Sequence, residues 1–135
     1  MDDMNLGDMN PVVKEMIEDT VILGVIDKIS VQSLDAFAET VLDGPEVKAA
    51  VLECLAYVLS HELMILSTFV DGRYIPYAGD TAELIQMVSE NYLYDDEREP
   101  RGDDYTFLYW MLNTEKGDEL GKRWLDEFHR SRRER

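Results

Sequence analysis

Residues 46–70 read EVKAAVLECLAYVLSHELMILSTFV, and the fold turns on whether this run is one element or two. Glu46, Glu53, Ser60 and Ser67 recur every seven residues with mostly apolar positions between them, which traces one narrow polar stripe. A helix that is apolar on nearly every other side belongs at the centre of a bundle. The spacing predicts a central helix over 46–67, with Leu55, Leu59, Leu63 and Leu66 buried along it, and hence an all-α fold. The end of the run admits a second reading. Asp71-Gly72 lies between Phe69-Val70 and Arg73-Tyr74, a two-residue hairpin signal compatible with a short β-hairpin over 68–77.

Upstream, Asn10-Pro11 offers a cap followed by proline at the first helical position. Val13, Ile17, Val21 and Val25 share one helical stripe, although residues 21–26 would also suit a buried strand. Ser30 or Ser33 can cap a second helix carrying Leu34, Phe37, Ala38, Val41 and Leu42. Asp43-Gly44-Pro45 then reads as a tight corner, with Gly44 closing that helix and Pro45 opening the next. Downstream, Asp80 and Glu83 form a capping-box pattern ahead of Leu84, Ile85, Val88 and Tyr92. Residues 95–104 hold six acids, two arginines and no apolar side chain, the composition of an exposed loop. Residues 105–112 contain four aromatics and suit a strand by propensity, yet Asp103 or Asp104 can cap a helix there, and helix is the expectation. Leu120, Trp124, Leu125 and Phe128 define a last helix. The expected organisation is a flexible N-terminus over 1–9, one helical domain of five to six helices over 10–129, and a basic tail over 130–135.

The 135 residues amount to one domain, and 29 acids against 13 lysines and arginines leave a formal charge of −16. That charge argues against direct binding of nucleic acid or anionic membranes. The stretch 47–70 is interrupted by Lys48, Glu53, His61 and Glu62, so no membrane span is legible. Acids at positions 2 and 3 and a single cysteine, Cys54, fit a cytoplasmic setting.

The chemical motifs are thin. His61-Glu62 would need a second histidine four residues on to resemble a zinc-protease helix, and position 65 is Ile. Glu53, His61 and Glu62 could flank one groove as a small enzyme's acid–base set, but a satisfied bundle histidine is the simpler reading. Asp126 and His129 stand three apart without a third ligand, and Cys54 sits among apolar neighbours that do not favour a thiolate. Arg73, Tyr74 and Tyr77 could border a small pocket with Ser60 or Ser67. The tripeptide 101–103 reads Arg-Gly-Asp, too short a match to mean adhesion. No catalytic residue, metal or cofactor is expected.

Charge and aromatics together point to a non-enzymatic protein that binds and inhibits a basic protein partner. Its expected binding surface is Asp95, Asp96, Glu97, Glu99, Asp103 and Asp104 beside Tyr105, Tyr109 and Trp110, with carboxylates steering approach and aromatics anchoring. Immunity proteins, antitoxins and anti-defence proteins share this profile of size and charge, an analogy that carries no residue across. Mimicry of nucleic acid is one form such binding takes, and it requires the acids to gather on one face. The alternative is a homo-oligomer whose basic tail, four arginines and one glutamate, docks on the acidic body of the next copy.

Overall fold

The computed structural model describes residues 9–92, 94 and 109–133, with side chains described through Arg130. Among them are five helices, α1 (Pro11–Gly24), α2 (Val31–Glu39), α3 (Gly44–Ser60), α4 (Thr81–Glu90) and α5 (Glu115–Arg133). Four strands, β1 (Ile29–Ser30), β2 (Met64–Val70), β3 (Arg73–Pro76) and β4 (Trp110–Asn113), form one antiparallel sheet in the order β1-β4-β2-β3. The fold is therefore α+β, and the all-α helical bundle that the sequence suggests is overturned.

Two corrections account for the difference. The helix expected over 46–67 ends at Ser60, and after three intervening residues the chain restarts as β2 at Met64. The stop is a Schellman turn: the Leu63 N–H donates to the Val58 carbonyl at 2.9 Å and the Glu62 N–H to that of Leu59 at 3.1 Å. Glu62 takes the left-handed conformation at φ 58°, a position usually held by glycine, so the usual signal of a helix end is missing from the sequence. Over the first three residues of β2 burial alternates as a strand requires, Met64 and Leu66 inward and Ile65 outward. The seven-residue recurrence holds for Glu46, Glu53 and Ser60, all exposed on α3, while Ser67 is buried in β2. Leu55, Leu63 and Leu66 are all buried, but only Leu55 lies in the helix; Leu59 is half-buried.

The second correction concerns residues 105–112, read as a helix. Their described C-terminal part enters β4, which pairs with β2 through Met64↔Asn113 to Ser67↔Trp110 and with β1 through Ile29↔Met111. As a central strand β4 has partners on both sides at Trp110 and Met111, and residues 110–112 suit a strand by their β propensity. Gly44 is also not the left-handed cap of α2: that helix closes at Thr40, in right-handed geometry, and Gly44 opens α3.

Elsewhere the local signals correspond to structure. The Asn10 side chain accepts from the Val12 N–H, Ser30 from the Ser33 N–H, and Asp80 and Glu83 form a reciprocal capping box. Residues 20–24 continue α1 as helix. The β2–β3 hairpin turns at Asp71-Gly72, both at positive φ (51° and 78°), as a type I′ turn demands.

Helix α3 is the inner element, with α1, α2 and α4 packed around it and α5 laid against α1. The α5 approach is very close. A Cβ at Gly117 would stand 2.0 Å from the Leu63 carbonyl oxygen, and one at Gly121 would stand 2.7 Å from that of Val21, so only glycine lets the helix seat. Within the core, the Tyr92 hydroxyl donates to the buried Asp35 carboxylate at 2.7 Å, which ties the chain after α4 back to α2. Among the described residues no helix is long and apolar enough to cross a membrane.

Candidate protein-binding surface

The two faces of the sheet differ. Met64, Leu66 and Met111 point into the helical layer and are buried. On the opposite face the register sets Ile65 beside Leu112, Ser67 between Trp110 and Pro76, and Phe69 beside Tyr74. Ile65 is 43% exposed and Phe69 47%, while Tyr74, Trp110 and Leu112 are half-buried. The rings form a ladder, Phe69 to Tyr74 at 4.8 Å and Tyr74 to Trp110 edge-on at 5.9 Å. The Lys28 ammonium lies 5.3 Å from the Tyr74 ring centroid, in cation–π range.

Of the residues singled out from the sequence, Asp95, Asp96, Glu97, Glu99, Asp103, Asp104 and Tyr105 lie outside the described residues. Tyr109 is buried, with its ring 5.7 Å from that of Tyr77, and Trp110 joins the ladder. The sequence reading missed Ile65, Phe69, Tyr74, Leu112 and Lys28 as one surface. The available signal was the hairpin itself: once Asp71-Gly72 is the turn, Phe69 and Tyr74 must face each other across it.

A cleft of about 790 Å³ opens beside this face, between the end of α3, the start of β2, and the N-termini of α4 and α5. Its floor includes Leu59, Met64, Leu66 and Leu84, and its rim carries Glu62, Asp80 and Glu115 against Lys116. The Thr114 hydroxyl donates to the Glu62 carbonyl at 2.6 Å and accepts from the Gly117 N–H at 3.0 Å, so one side chain joins the α3–β2 turn to the start of α5. The Asp80 carboxylate is occupied in capping α4. Ser60 and Tyr77 line this cleft, whereas Tyr74 belongs to the sheet face and Arg73 is exposed.

Glu53, His61 and Glu62 do not converge: Glu62 lines the cleft, Glu53 is exposed on α3, and His61 closes that helix. The His61 ring stacks on Tyr57 with centroids 4.0 Å apart, and its Nδ1 is 3.0 Å from the Tyr57 carbonyl. Cys54 is fully buried, and burial, partly offset by a hydrogen bond with Thr20, pushes its thiol up to about 12, which leaves it unreactive. Asp126 and His129 are exposed on α5. Among the described residues no group of three or more His, Cys, Asp or Glu side chains could hold a metal.

Acids also gather where α1 meets α5. Burial raises the Glu18 carboxyl above its ordinary value; Asp19, Glu15 and Glu127 raise it further, against an opposing pull from Lys14. Asp19 is raised by burial and by Glu15.

Fold and site together define an α+β chain with helices against one sheet face and an aromatic ladder on the other. Comparison with protein families, curated proteins and solved structures finds no match for this chain.

Proposed function

We propose that this chain is a non-enzymatic acidic protein that binds a basic protein partner and inhibits it by covering the partner's surface. One observation carries the reading: Ile65 and Phe69 stand exposed on the outer face of the sheet, with Tyr74, Trp110 and Leu112 half-buried beside them, on a chain of formal charge −16. Scattered exposed apolar residues are ordinary, but a contiguous group marks an interaction site. The division of labour follows from physics. Long-range attraction of a basic surface speeds encounter, and desolvated apolar anchors slow dissociation.

The test immobilises the full chain, challenges it with native lysate and washes in rising salt up to about 1 M, where the Debye length is about 3 Å. The expected result is that the retained proteins are basic as a class and that one stays bound through the last wash. Retention that ignores charge, or that vanishes at the first salt step, removes the reading. Deleting residues 130–135 should leave both retention and oligomeric state unchanged; an oligomer that falls apart on deletion favours assembly through the tail instead.

A further inference from the structure

Among the described residues, the outer face of the sheet has a chemistry of its own. Phe69, Tyr74 and Trp110 present a contiguous ring cluster flanked by Ile65 and Leu112, and one cation, Lys28, already sits over Tyr74 at 5.3 Å. Aromatic faces attract ammonium and guanidinium groups through the ring quadrupole, so Lys28 displays within the molecule the contact that this surface can make with another. The acids Glu62 and Asp71 stand exposed at the two ends of β2, and Asp27 stands exposed next to Lys28. With the chain at −16, a positively charged segment is drawn toward the molecule, and around this face the acids Asp27, Glu62 and Asp71 outnumber the cations Lys28 and Arg73.

We propose that this face docks a basic segment of the partner, with an arginine or lysine side chain stacked on the Phe69–Tyr74–Trp110 cluster and apolar neighbours laid over Ile65 and Leu112. The proposal rests on the reading of the chain as a binder of a basic protein, and it adds the surface and the contact. Two other modes are weaker on physical grounds. Strand addition to β3 meets Arg73 at one end and Pro76, which has no N–H to donate, at the other. A second copy of the chain brings −16 against −16.

The experiment titrates isotope-labelled full-length chain with a capped hexapeptide of alternating arginine and valine, and with the same peptide carrying glutamate for arginine, at about 0.15 M salt. Amide shifts should concentrate at Ile65, Phe69, Tyr74, Trp110 and Leu112 for the arginine peptide alone. Phe69→Ser should weaken that peptide about tenfold at an unchanged melting temperature; if it fails to fold, Phe69→Leu, which keeps bulk without the ring, carries the same expectation. Lys28→Ala frees the Tyr74 ring and should strengthen binding about threefold, whereas Lys122→Ala, an equal charge change on α5, should not. Shifts confined to the cleft or to α1 and α5, with Phe69→Ser neutral, overturn the face while leaving a basic partner in place. Equal response to both peptides, or none to either, overturns the partner reading with it. Shifts that change with protein concentration in the absence of peptide, or contacts from Phe69 to residues 95–108, mean that the face is already occupied and also overturn the proposal.

Discussion

Met64 and Leu66 on one side of β2 are 2% and 1% exposed, whereas Ile65 and Phe69 on the other side are 43% and 47% exposed. The four are similar in size and apolarity and share seven residues of chain. What separates them is cover: Met64 and Leu66 belong to the core cluster with buried side chains of α1, α2 and α3, whereas Ile65 and Phe69 stand outside it. Hydrophobicity supplies the drive to leave water, but a side chain leaves only where another element meets it. The same strand thus supports the core with one set of residues and offers a surface with the next.

The sharpest way to break this contrast is a truncation on each side. Leu66→Ala should cost about 2–5 kcal/mol, because it removes a buried side chain and leaves a cavity. Ile65→Ala should cost well under half as much, its side chain being partly in water already. Urea unfolding of both variants compares the two sides directly, and equal losses would mean that the outer side is covered in solution.

The seat of α5 comes next. Gly117→Ala drives a methyl into the Leu63 carbonyl at the entrance to β2, and overpacking of this kind costs about 1–3 kcal/mol. Thermal melting should register that loss even though alanine is the better helix former.

A smaller effect of opposite sign is expected at the turn that sends Met64 and Leu66 inward. Glu62 holds a left-handed conformation that costs a non-glycine residue about 1 kcal/mol, and Glu62→Gly should recover about 0.5–1 kcal/mol of stability after its own entropic cost. A loss on that substitution would mean that the Glu62 side chain has a structural role at the cleft.

The smallest effect tests the helical cover itself. The Glu18 carboxyl is raised in the folded chain, so folding binds a proton there, and its contribution to stability falls as pH rises through the window from 4.5 to the raised value. Relative to wild type, Glu18→Gln should gain about 0.2–0.5 kcal/mol above that window, the scale of a like-charge helical pair. The gain should shrink toward zero below 4.5. Denaturant midpoints of the two proteins at both pH values check the sign.

Much of the molecule was legible from its residues because the signals act locally. Asn10, Ser30 and Asp80 each accept from a backbone N–H two or three residues ahead, and Asp71-Gly72 makes a type I′ turn from the backbone freedom of two adjacent positions. Such features need no knowledge of the rest of the chain. The end of α3, the strand character of residues 110–113 and the openness of the outer sheet face were decided at longer range. Leu66 pairs with Met111 and Ile29 with Met111 across the same sheet, separations of tens of residues that a local periodicity cannot register. An apolar run such as MILSTFV fits a buried helix or a strand equally well by composition. Only the tertiary structure selects, because backbone hydrogen bonds to distant partners and the side from which helices approach determine which of its residues meet water.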